Sequence, residues 1–159
     1  MRRRESAAEP GAQGADTAAE LKARALRHLA RREHSRSELA RKLAARAESP
    51  EALEQLLDAL AARRQLSDER YAEARAHQLA RKYGAARIRA DLKSKGIAPD
   101  IATRVSGDGE LERARAILAR KYRDVAGTRE EIARRSRFLQ SRGFSHDTIR
   151  KLLSAEDAD

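Results

Sequence analysis

The chain has 159 residues, with 35 Lys and Arg against 25 Asp and Glu, five aromatic residues and no cysteine. Disulfides and thiolate metal sites are therefore excluded, and no apolar run approaches the roughly 20 residues that span a bilayer. With 38% charged residues and 3% aromatic, a thick core is excluded too, and Leu and Ala must supply thin helical layers.

Residues 1–16 mix Arg, Ala, Gly, Glu and Pro without periodicity and read as a disordered tail. A first unit follows over 17–66. Thr17 and Glu20 form a capping box, in which each side chain satisfies a free backbone donor of the other. Leu21, Ala25 and Leu29 then line one helix face. Ser35 and Glu38 predict a second box, opening a helix with Leu39 and Leu43. Ser49-Pro50-Glu51 opens a third: a Ser cap, Pro in the first turn, an acid at the positive helix end.

The pattern restarts over 67–109. Ser67-Asp68-Glu69 opens a helix carrying Tyr71, Ala74, Leu79 and Tyr83, and Gly84 breaks it. Ile88 and Leu92 mark a short helix ending at Gly96, and Pro99-Asp100 opens another with Ile101 and Val105. Gly107 and Gly109 punctuate its end. A third round over 110–155 has Leu111, Ala114 and Leu118, then a Thr128–Glu131 box, then Ile132, Phe138, Leu139 and Gly143. Ser145 caps a last helix with Ile149, Leu152 and Leu153, and 156–159 is a frayed end. The fold class is all-α: nine helices in three tandem three-helix repeats with a period near 48 residues.

The frame is marked by one repeated phrase. Leu92…Gly96-Ile97 and Leu139…Gly143-Phe144 share the spacing of a Schellman cap, where a left-handed Gly lets the next apolar residue fold back on the last turn. In the first unit Ala47 stands in the glycine slot, so that helix is expected to end differently. Gly84, Gly96 and Gly143 are read as structural caps.

Catalytic signals are poor. No phosphate-cradling loop is present, no two of His28, His34, His77 and His146 share i,i+3 or i,i+4 spacing, and the serines are spent on caps. No enzyme activity, metal or cofactor is expected. The aromatics read as core anchors at repeat junctions. The charge excess is the functional lead, because it is spread through all three units rather than held in a tail, which suits a polyanionic or acidic partner. Two stretches concentrate it. Residues 81–95 hold Arg81, Lys82, Arg87, Arg89, Lys93 and Lys95 against Asp91, with Arg87 and Asp91 spaced to pair. Residues 113–142 hold ten basic side chains, among them Arg134, Arg135, Arg137 and Arg142. These ten named residues are the candidate partner contacts.

Asp68-Glu69-Arg70-Tyr71-Ala72, then Gly84, Ile88, Leu92 and Lys95-Gly96-Ile97, and later Phe138-Leu139 and Arg142-Gly143-Phe144, resemble the pattern of the RecX regulatory proteins over residues 20–154. The resemblance implies an elongated, curved stack of three three-helix repeats. It implies a partner, the RecA recombinase filament, in DNA repair, homologous recombination and the SOS response. It also implies an action: inhibition of filament growth, ATPase, coprotease and strand exchange, by lying in the filament groove or blocking extension. A cytoplasmic monomer is expected. The alternative is a non-specific DNA-binding protein that competes for single-stranded DNA, with single- or double-stranded DNA as partner.

Overall fold

The computed structural model describes residues 14–156. The tail expected over 1–16 and the frayed end over 156–159 therefore lie largely outside the described residues. Among the described residues nine α-helices follow one another: α1 (Ala18–Arg31), α2 (Arg36–Leu43), α3 (Pro50–Ala62), α4 (Asp68–Leu79), α5 (Ala85–Ser94), α6 (Pro99–Gly107), α7 (Glu110–Lys121), α8 (Arg129–Ser141) and α9 (His146–Glu156). No helix among them is long and apolar enough to cross a membrane.

Local chemistry accounts for the helix ends. Thr17 and Thr128 form complete capping boxes with Glu20 and Glu131. Ser49, Ser67 and Ser145 each accept from a backbone N–H three residues on. The box expected at Ser35 forms by half. Ser35 Oγ accepts from Glu38 N–H, but the Glu38 carboxylate turns away to the Arg32 guanidinium. Both Schellman caps form. Gly96 and Gly143 have φ of 79° and 84°, and Ile97 and Phe144 N–H donate to Leu92 and Leu139 carbonyls at 3.1 and 3.2 Å. α2 ends instead in a 3-10 turn over Ala44–Arg46, and Ala47 leaves it in extended backbone, φ −74°.

Each set of three helices closes over its own apolar cluster. Leu39, Leu43, Leu57 and Leu60 centre the first, Ala72, Ile88, Leu92 and Ala102 the second, and Ala114, Leu118, Leu139 and Phe144 the third. At about 1.5–3 kcal/mol for each fully buried Leu or Ile side chain, these clusters are what hold the units together.

The units join in a row through one joint used twice. In the first joint, Arg36 N–H, the first of α2, donates to Asp68 Oδ1 at 2.8 Å. In the second, Ala85 N–H, the first of α5, donates to Glu110 Oε1 at 3.0 Å. Asp68 and Glu110 each begin the first helix of the next unit, so one carboxylate serves two helix N-termini. The other half of the joint repeats as well. Ser35 Oγ donates to Lys95 O at 2.9 Å, and Gly84 N–H donates to Arg142 O at 2.8 Å. Lys95 and Arg142 are the residues just before the two Schellman glycines. Gly84 is therefore more than a helix breaker: a Cβ there would come within 2.5 Å of the Gly143 carbonyl and the Phe144 nitrogen, so the two backbones meet through it. No hydrogen bond or ion pair links the first unit to the third among the described residues.

Asp16 departs from the tail expected for it. Only 7% exposed, its carboxylate pairs with Arg24 and Arg46 at 2.8 Å each, and its N–H donates to Arg46 O at 2.8 Å. It thus occupies, at the end of the first unit's middle helix, the position that the preceding unit takes at the two joints.

Candidate partner-binding surface

The second joint carries an alternating series of cations and rings. The Arg87 guanidinium lies 4.6 Å from the Tyr83 ring centre, and Arg142 lies 5.8 Å from Tyr83 and 5.4 Å from Phe138. The Lys121 ammonium lies 4.3 Å from Phe138 and 5.9 Å from Tyr122, and Arg135 lies 4.7 Å from Tyr122. Tyr122 and Phe138 meet edge to face at 6.2 Å. Four cations from α5, α7, α8 and the turn after α8 are thus threaded through three rings. Each ring attracts a cation through its negative face, worth about 0.5–1 kcal/mol at an exposed site. Arg87, Lys121 and Arg142 have no ion-pair partner among the described residues.

The sequence positions behind this are local. Phe138 and Arg142 are four apart, the spacing that stacks neighbours on a helical turn. Tyr83, expected on the helix that Gly84 breaks, lies instead beyond its end at Leu79 and just before the extended N-cap Gly84, from where its ring meets Arg87 in the first turn of α5. Gly143 then lets the two halves close: a Cβ there would sit 2.7 Å from the Arg87 Cβ and 2.8 Å from its backbone nitrogen.

The candidate cations fall into four groups. Arg87 and Arg142 meet at Tyr83. Arg81, Lys82, Arg89, Lys93, Arg134 and Arg137 are exposed and none has an ion-pair partner among the described residues, although the Arg81 carbonyl accepts from Arg120 at 2.8 Å. Arg135 is different: at 6% exposure it donates to the Asp124 carbonyl and pins the connection between α7 and α8 instead of presenting charge. Lys95 is half-buried and lies on the opposite side of the second unit, at the first joint. The pairing expected of Arg87 with Asp91 does not occur, because Arg75 reaches across from α4 and binds Asp91 with both arms at 2.9 and 3.0 Å. That leaves Arg87 for Tyr83. Lys121 was not singled out by sequence reasoning, nor were Tyr83, Tyr122 and Phe138 as cation holders; the aromatic-to-Arg spacing of four was the available signal.

The first joint has a different character. Arg32, Glu33, Glu38, Tyr71, Arg75, Gln78 and Lys95 are among the lining of a cleft of about 350 Å³. Most charges there are matched: Arg32 with Glu38, Arg70 with Glu33, Arg75 with Asp91. The hydrogen bonds from Arg32, aided by its charge, hold the Glu38 carboxyl down at about 2. Glu110, at the second joint, is also lowered. Burial acts to raise it, but hydrogen bonds from Thr148, Ala85 N–H and Ser145 outweigh that.

Chemistry of other kinds finds little support. His28 and His34 come together at 5.6 Å, a contact their spacing did not predict. Burial lowers both their pKa values, and His34 is held between the Arg32 carbonyl and the Lys42 ammonium at 3.0 Å each. Among the described residues no group of three or more His, Cys, Asp or Glu could hold a metal ion.

Known proteins share this organisation unit by unit. Family models described as the first, second and third three-helix domains of RecX match residues 22–60, 67–105 and 108–153. The regulatory protein RecX of Leptothrix cholodnii is 47% identical over 140 residues, covering 86% of this chain and 89% of that protein. That of Herbaspirillum seropedicae is 46% identical over 134 residues, covering 82% and 87%. A crystal structure of RecX from Lactobacillus salivarius superposes with a TM-score of 0.75 over 89% of this chain and 97% of that one; at 22% identity it speaks for the fold alone. With all three units matched and close relatives spanning nearly the whole chain, this protein belongs to the RecX family.

Proposed function

We propose that the chain is a non-catalytic regulator that binds the RecA recombinase and restrains growth of its nucleoprotein filament. The observation that carries this reading is that all three units match RecX domains in order, over 22–60, 67–105 and 108–153. A row of units with rigid joints suits a partner that itself repeats, because successive units can meet successive protomers along a groove. Seated there or at the growing end, the chain blocks extension. ATPase, coprotease and strand exchange fall as a consequence, since each depends on the filament. The contacts proposed are Arg81, Lys82, Arg87, Arg89 and Lys93 on the second unit and Arg134, Arg137 and Arg142 on the third, facing acidic protein surface.

Order of addition tests it. Added to preformed filaments at amounts far below DNA saturation, the chain should arrest further growth, and Arg89→Glu with Lys93→Glu should weaken the arrest while the helical content stays intact. Arrest that appears only when free DNA is coated overturns the reading. A second reading, competition for single-stranded DNA, is favoured by the exposed cations that lack acidic partners. It predicts binding that falls steeply with salt, in proportion to the phosphates neutralised.

A further inference from the structure

We infer that Tyr83 is a positioning residue that gathers Arg87 of the second unit and Arg142 of the third into one binding site for carboxylates on a partner protein. The inference deepens the proposed function and takes the class of partner from it. Two guanidiniums from different units share one ring, at 4.6 and 5.8 Å, and neither forms an ion pair among the described residues. Their mutual repulsion is offset by the ring only in part. An anion completes the arrangement, and the N–H edges of a guanidinium fit a carboxylate in two-pronged fashion.

Carboxylate is favoured over nucleic acid by what the rings already do. Single-strand binders combine a cationic groove with aromatic faces on which bases stack. Here Tyr83, Phe138 and Tyr122 each contact two cations of the chain itself, so stacking is pre-empted and charge is left to act alone. The site also depends on the joint. The carbonyl of Arg142 accepts from Gly84 N–H at 2.8 Å while its side chain reaches Tyr83, so the same residue hooks the two units and supplies half of the site.

Fluorescence anisotropy on the full chain at low salt tests this with two probes, a labelled ten-residue polyglutamate peptide and an oligothymidylate of equal charge. Tyr83→Phe, which keeps the ring, should bind the peptide within about twofold of the parent; Tyr83→Leu should weaken it about fivefold, as a lost cation–ring contact would. In an Arg87→Gln, Arg142→Gln background, Tyr83→Leu should change nothing further, and oligothymidylate binding should be indifferent to position 83. The inference is overturned if the parent does not bind the peptide or if Phe is as damaging as Leu. It is overturned equally if Leu weakens the doubly substituted chain as much as the parent, which marks a packing role. A parallel fall in oligothymidylate binding makes phosphate the ligand and also overturns it. If the peptide results hold while the parent leaves RecA filaments growing, it is the proposed function that fails and the site that stands.

Discussion

Arg64 takes φ of 59°, the left-handed value at which a Cβ crowds the following carbonyl. It stands just past α3 in the position that Gly96 and Gly143 hold past α5 and α8, with Gln65 N–H returning to Leu60 O at 2.9 Å. Here the turn forms without glycine. Arg64→Gly should raise stability by about 0.5–1 kcal/mol in urea titration, the relief of strain less the added freedom of the unfolded chain. Among residues read from the sequence, the caps were legible because a cap is made within four residues. The partners of longer side chains were not. Glu38 lies three residues from Ser35 as a capping box requires, yet Arg32 captures it. Asp91 lies four from Arg87, yet Arg75 arrives from another helix. Buried or bidentate charge pairs outweigh the roughly 0.2–0.5 kcal/mol of an exposed helical pair.

At the scale of elements, the joints explain where the glycines fall. Gly96 packs against Ser37 and Gly143 against Arg87, each at the start of the preceding unit's middle helix. The first unit's middle helix meets Asp16 there instead, and with no such helix to approach, Ala47 suffices. Gly143→Ala should therefore separate the second and third units, since the added carbon meets backbone as well as side chain. We expect a loss of about 2–3 kcal/mol, combining left-handed strain with lost joint packing, and a larger radius of gyration in X-ray scattering. Gly107→Ala is the control. A Cβ there meets nothing within 4 Å, so at the end of α6 the change should be neutral or stabilise by up to about 1 kcal/mol. The nine helices and their grouping were legible because hydrophobic period and caps are local signals. The joints, built from backbone groups met by backbone or side-chain atoms some 25–60 positions away, left only the glycine phrase as a trace.

Across the whole molecule, acid should loosen the structure in steps whose sign is fixed. Burial keeps His34 neutral when folded, so the unfolded chain takes up its proton first and stability begins to fall as pH drops through about 6.5. Glu38, held at about 2, and Glu110, also lowered, contribute stability in full above their ordinary value near 4.5 and lose it as pH falls toward their folded values. Thermal unfolding followed between pH 7 and pH 3 should show both declines, and Glu38→Gln should flatten the second. Charge is also distributed unevenly over the row. At the first joint acids and bases largely cancel, whereas at the second three cations stand on rings and form no ion pair among the described residues, a contrast that net charge alone does not reveal.

The repeated joint is head-to-tail: one side of a unit fits the opposite side of the next. Contacts of that kind add copies without limit unless their rotation closes a ring. At its first end this row is stopped from within. Asp16 seals the exposed carbonyl end of the first unit. At the other end, the Glu131 carboxylate accepts from Gly127 and Thr128 N–H just before α8, whereas the neighbour's acid at the two joints meets the first N–H of α2 and of α5. A further unit joining the first would have to displace Asp16 before it could reach the Arg46 carbonyl.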